Sequence, residues 1–160
     1  MKKLFTLLAL TITFSMNAQM SDYSSGTAAT GGTAVAMGAS TTASGFISTA
    51  MGNITIASGL VSTAMGYDTT ASGYISTAMG FYTTASDYGS VVIGQYNSSG
   101  SSVTNSATSF STSNTAFVIG NGADSSNKSD AFKVMFNGDA TVSNDLTVSG
   151  DVVVSSDARL

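Results

Sequence analysis

A 14-residue period governs residues 27–97. Ala36-Met37-Gly38, Ala50-Met51-Gly52, Ala64-Met65-Gly66 and Ala78-Met79-Gly80 stand 14 residues apart, and Val92-Ile93-Gly94 falls in the same register. Between them Ala43-Ser44-Gly45, Ala57-Ser58-Gly59 and Ala71-Ser72-Gly73 repeat in step, with Ala85-Ser86-Asp87 as a degenerate fourth. An α-helical hairpin repeat needs more than twice this length. Fourteen residues instead suit two short strands of about five and two corners of about two. Glycine recurs at the corners, where the chain turns sharply and φ can be positive. Each unit is therefore read as one coil of an all-β solenoid, with about five coils stacked at the ~4.8 Å inter-strand spacing.

A coil this short encloses a thin interior, which matches the small residues Ser48, Ala50 and Gly52 that alternate on one strand face. By the period-2 rule Thr49 and Met51 point the other way. Stacking then builds a column of Met37, Met51, Met65, Met79 and Ile93, flanked by Val35, Thr49, Thr63, Thr77 and Val91. Two placements are open for the column. Met can fill the monomer core, or the column can form an outward apolar stripe. The outward stripe is favoured, and since a continuous apolar stripe is untenable on a soluble monomer, Met37, Met51, Met65, Met79, Ile93, Val35 and Val91 become the expected trimer interface.

Composition removes most chemistry. Ser, Thr, Ala and Gly make up 87 of 160 residues, and Cys, His, Trp, Pro and Glu are absent. Cys or His metal cages, a Ser-His-Asp triad and a carboxylate pair containing Glu are thereby excluded. Beyond Lys2 and Lys3 the basic residues are Lys128, Lys133 and Arg159, too few for a nucleic-acid surface. The Asp residues are scattered without the spacing of a calcium-binding roll, so no metal, no cofactor and no enzyme are expected. Gly31-Gly32 and Gly120-Asn121-Gly122 lack the Lys and helix of a phosphate loop and are read as turns. Asn53-Ile54-Thr55 and Asn97-Ser98-Ser99 fit a glycosylation acceptor pattern that polar sequences often match by chance.

Ser90-Val91-Val92-Ile93-Gly94, the Ala-Met-Gly copies and the interleaved Ala-Ser-Gly corners resemble the head repeats of trimeric autotransporter adhesins over residues 27–97. The resemblance implies a left-handed parallel β-roll of 14-residue coils, assembled as a homotrimer. The family's usual Val and Ile pair is Thr and Met in most copies here. The implied function is a secreted or surface-exposed adhesin or fibre head module that acts by multivalent, non-catalytic binding. The candidates for ligand contact are the variable corner residues Phe46, Leu60, Tyr67, Tyr74, Phe81, Tyr82, Tyr88 and Tyr96, for each of which packing against neighbouring coils or subunits is equally open. The host, matrix or surface ligand is not identified. A rival reading is an ice-binding solenoid, because Thr41, Thr55, Thr69 and Thr83, and Thr42, Thr70 and Thr84, form ladders at coil spacing. Ile56 interrupts the second ladder. A polysaccharide-degrading fibre has no recurring Asp pair to support it.

The flanks complete the organisation. Lys2 and Lys3, the apolar run 4–14 and the small-residue site at Ala18 mark residues 1–18 as a signal peptide. The run falls short of the ~20 residues of a membrane span, and no later stretch is long enough. Head repeats occupy 19–97 and a Ser/Thr/Asn-rich linker 98–113. A returning coil occupies 114–127, where Phe117-Val118-Ile119-Gly120 repeats the head ending. A β-hairpin stalk spans 128–155, with turns at Asn137-Gly138-Asp139 and Ser149-Gly150-Asp151, and is expected to pair between chains. Residues 155–160 resemble the opening of the endosialidase-type intramolecular chaperone domain of trimeric fibres, and 156–160 are read as its truncated start. There Ser156 matches a self-cleavage nucleophile whose Lys partner would be residue 161. The other reading of these residues is an exposed polar tail. No self-cleavage is expected of residues 1–160 alone.

Overall fold

The computed structural model describes residues 26–151. The expected signal peptide and the terminal residues 152–160, Ser156 included, lie outside the described residues. In chain order the strands are β1 (Ala28–Ala29), β2 (Val35–Ala39), β3 (Thr42–Ala43), β4 (Thr49–Asn53), β5 (Ile56–Ala57), β6 (Thr63–Tyr67), β7 (Thr70–Ala71), β8 (Thr77–Phe81), β9 (Thr84–Ala85), β10 (Val91–Gln95), β11 (Thr115–Asn121), β12 (Asp130–Met135) and β13 (Ala140–Val142). Among the described residues there is no helix, and so none long and apolar enough to cross a membrane.

The chain is a parallel β-solenoid of 14-residue coils. Short strands β1, β3, β5, β7 and β9 stack into one sheet; long strands β2, β4, β6, β8, β10 and β11 stack into the other, which β12 and β13 extend. Each long strand meets the next at a 14-residue offset, so Met37 faces Met51, Met51 faces Met65 and Met65 faces Met79. The second strand of each coil has two residues rather than about five. Its ladder ends because Ser44 N and Gly45 N both donate to Ala57 O, at 3.0 and 3.1 Å, and the backbone then turns.

The interior is a stack of small side chains. Ala36, Ala50, Ala64 and Ala78 from one sheet and Ala43, Ala57, Ala71 and Ala85 from the other are fully buried, with Val92 and Val118 completing the line. Ser48, Ser62 and Ser76 are buried at one corner, where each hydroxyl donates at 2.7–2.8 Å to the carbonyl three residues earlier. Gly52, expected inside, is exposed. It has φ +122°, and a Cβ there would stand 2.0 Å from Gly66 O. Gly59 has an ordinary φ, but a Cβ on it would stand 2.0 Å from Gly73 O. One glycine series thus serves a left-handed backbone as well as close coil approach, and the other close approach alone.

Both corners also hold non-glycine residues at positive φ. Ile47, Val61 and Ile75 have φ of 58°, 56° and 59°, and Ser40, Ile54, Asp68, Tyr82 and Tyr96 occupy the matching place on the other corner. This conformation costs roughly 1–2 kcal/mol per residue. It is offset by a hydrogen bond between stacked corners: Ile47 N donates to Gly32 O at 2.9 Å, Val61 N to Phe46 O at 2.8 Å and Ile75 N to Leu60 O at 2.7 Å.

The step from Ile93 to its partner Ile119 is 26 residues, so residues 98–113 are inserted between two stacked coils. The segment folds against the body. Asp87 stands where earlier coils have Gly45, Gly59 and Gly73, and is fully buried. Its carboxylate accepts Thr104 N at 2.6 Å and Thr115 N at 2.8 Å. No further coil occupies the space its side chain needs, because Ser86 N bonds Gly100 O instead. The Asp130 carboxylate holds the start of the insert by accepting Ser98 N and Ser99 N, each at 2.8 Å. The expected inter-chain stalk begins differently: β12 pairs antiparallel with β11 of its own chain, and β13 with β12. A hairpin next to an open sheet edge satisfies its backbone there.

Candidate functional surface

Strand alternation sets the outer face of the long-strand sheet. With Ala50, Ala64 and Ala78 inside, Met51, Met65 and Met79 project outward, and Met65 and Met79 are each 37% exposed. Ile93 and Ile119 continue the Met column, and Val91 and Phe117 continue the column that Val35 begins. The apolar line runs on into β12, where Phe132 pairs with Ile119 and Val134 with Phe117, and the Phe117 and Phe132 rings lie 6.2 Å apart. Phe117, Phe132 and Val134 are missing from the sequence-based stripe because their membership depends on antiparallel pairing outside the 14-residue register.

The eight corner candidates divide into two groups on different corners. Phe46, Leu60, Tyr74 and Tyr88 lie before the long strands. Phe46 is 54% exposed there, and the adjacent Ile47, Val61 and Ile75 are exposed beside it. Those three were not singled out from sequence, although their 14-residue spacing was the available signal. Toward the end of the stack the insert engages this corner, with Tyr74 N donating to Ala107 O and Tyr88 N to Ser106 O. Phe136 approaches Gly89 at the same end and packs edge-on against Phe110 at 5.3 Å.

Tyr67, Phe81, Tyr82 and Tyr96 lie after the long strands and form one aromatic cluster. Tyr67 stacks on Phe81 at 5.2 Å and Tyr82 on Tyr96 at 4.8 Å, while Phe81 meets Tyr82 edge-on at 4.6 Å. Such pairs add roughly 0.5–1.5 kcal/mol each beyond their buried area. Partial burial among these rings, with Tyr67, Asp68 and Tyr96 alongside, raises the Tyr82 phenol above its ordinary value. The cluster stays neutral at physiological pH and presents rigid amphipathic rings, with Tyr67 and Phe81 exposed.

The first threonine ladder is not a surface. Thr41, Thr55, Thr69 and Thr83 are fully buried, with hydroxyls that have no hydrogen-bond partner. In the second ladder Thr42, Thr70 and Thr84 are half-buried and Ile56 is exposed. The strand that carries each of them is two residues long.

Residues 48–69, 57–82 and 71–97 match the family model of the YadA head domain repeat, so these coils are similar to that repeat. No curated protein and no solved structure matches the chain.

Proposed function

We propose that this chain is the head module of a surface-exposed trimeric adhesin. The observation that carries the reading is the unbroken outward column from Met37 to Ile119, in register across coils similar to YadA head repeats. A stripe of this length exposed on a soluble monomer favours self-association, and a rod of stacked coils lets three copies meet along their whole length. Met37, Met51, Met65, Met79, Ile93, Val35 and Val91 then form the subunit contact. The corner aromatics remain outside as candidates for contact with a surface ligand, with the Tyr67–Tyr96 cluster the stronger group because its rings are held by one another. Three rigid copies raise effective concentration, so weak contacts sum to avidity without catalysis.

Residues 1–18 would direct the chain to secretion, and Ser156 would act only in a product that supplies a Lys at residue 161. The ice-binding reading loses its regular ladder, since Thr41, Thr55, Thr69 and Thr83 are interior. Sedimentation tests the assembly. Wild type is expected to be a trimer at micromolar concentration, and replacing Met51, Met65 and Met79 with Asp stacks like charges in the contact and releases monomers. A monomeric wild type, or an unchanged trimer in the triple variant, overturns the reading.

A further inference from the structure

Lys128 and Lys133, the two lysines of the described residues, line the same groove. It encloses about 420 Å³ at the end of the solenoid, where β12 and β13 leave the coil pattern. Lys133 pairs with Val118 of β11 and with Thr141 of β13. Val118 is an interior residue, so Lys133 and Thr141 stand on the inward face of the sheet. In the repeats that face is covered by the short strand of the coil; here it is open and bordered by Ser98, Ser99, Ser143 and Asn144. An ammonium replaces the alanine of the earlier interior.

The frame of the groove is already satisfied. Asp130 commits its carboxylate to Ser98 N and Ser99 N, the Ser129 hydroxyl donates to Asn121 Oδ1 at 2.7 Å, and the Ser143 hydroxyl donates to Asp130 O. The ammonium groups of Lys128 and Lys133 have no hydrogen-bond or ion-pair partner among the described residues. Hydroxyls and amides surround them, and no apolar or aromatic side chain lines the groove. An acyl chain or a nucleobase finds no surface to lie on or stack against. A polyhydroxylated anion matches every free group.

We propose that this groove binds an acidic saccharide, whose carboxylate or sulfate meets Lys128 and Lys133 while its hydroxyls meet Thr141, Asn121 and Asn144. The site lies apart from the Met column and the corner aromatics, and its ligand chemistry is independent of whether the chain forms trimers.

Calorimetric titration of the full chain tests it with four probes: a uronic-acid tetrasaccharide, a sulfated tetrasaccharide, a neutral tetrasaccharide of equal length, and sodium sulfate. At least one acidic tetrasaccharide is expected to bind, weakening as salt is raised. The tighter of the two identifies the acid group. The variant carrying Lys128→Gln and Lys133→Gln should retain its melting temperature and bind about tenfold more weakly or worse. If the variant is too unstable to titrate, the Lys ε-methylene resonances of the wild-type protein decide the matter instead, since they should shift on addition of saccharide. The proposal fails if neither acidic tetrasaccharide binds at millimolar concentration. It fails equally if the neutral sugar or free sulfate binds as well as they do, if the folded double variant binds unchanged, or if the Lys resonances stay still. Sedimentation of the same samples reports the assembly separately.

Discussion

The Asn97 side-chain amide pairs with the backbone of Thr84 as a further coil would: Oδ1 accepts Thr84 N at 2.8 Å, and Nδ2 donates to Thr84 O at 2.9 Å. In the coils before it the same position donates to backbone, Thr42 N to Thr55 O and Thr70 N to Thr83 O. Asn97 also stands 14 residues after Thr83, in the interior threonine column, and is 1% exposed. A side-chain amide carries the donor and acceptor of a peptide group, so one residue closes the short-strand sheet.

Asn97→Asp therefore keeps the shape and loses the donor. A buried carboxylate would face Thr84 O and Ser99 O, both of which now accept from Nδ2. Leaving these groups unpaired costs about 3 kcal/mol. Chemical denaturation should show a loss of that order, and hydrogen exchange should quicken first at Thr84. A variant as stable as wild type would show that the end of the sheet does not need closing.

Gly59→Ala separates close approach from backbone strain. The φ at Gly59 is ordinary, so Ala would be tolerated if conformation alone mattered, but its methyl would stand 2.0 Å from Gly73 O. Coils locked at strand spacing cannot part by an ångström without losing hydrogen bonds. A loss of about 3 kcal/mol or more is expected by thermal melting. Gly138→Ala, where nothing lies within 4 Å, is the comparison, since its φ of +93° leaves strain without collision; it should cost less.

Val61→Asn should stabilise. Val61 is a β-branched residue at φ 56° and is 42% exposed, and Asn adopts that conformation far more readily. The Val61 N bond to Phe46 O is backbone and survives the change. A gain of about 0.5–1 kcal/mol is expected by denaturation, and a loss would mean that the exposed apolar corner contributes more than its strain costs.

Thr55→Val should stabilise as well, by about 1 kcal/mol. The Thr55 hydroxyl is fully buried without a partner, and Val has the same branched shape with no polar group to leave unsatisfied. Repeating the change at Thr69 should add a similar amount. A lower melting temperature in both variants would show that the interior hydroxyls are hydrogen-bonded in solution.

The repeat and its consequences were legible in the sequence. Identical units that stack must pair residue with residue at the period, so Met37, Met51, Met65 and Met79 had to form a column. Alternation then placed Ala50 inside and Met51 outside. The aromatic corner residues were legible as variable positions, but their division into two corners was not, because it depends on where each two-residue strand stops. The left-handed residues Ile47, Val61 and Ile75 broke the expectation of glycine at such places. A hydrogen bond to the previous corner, formed only when coils are stacked, holds them there.

Periodicity by itself determined the coil, its register and its outer stripe, because each follows from one unit meeting a copy of itself. Tertiary structure alone decided what happens where no copy follows. Asp87 filling a glycine position, Asn97 imitating a peptide, β12 folding back on β11, and Lys133 entering the open inward face all depend on the space beyond the last regular coil. That space is set by residues distant in sequence, and no local pattern encodes it.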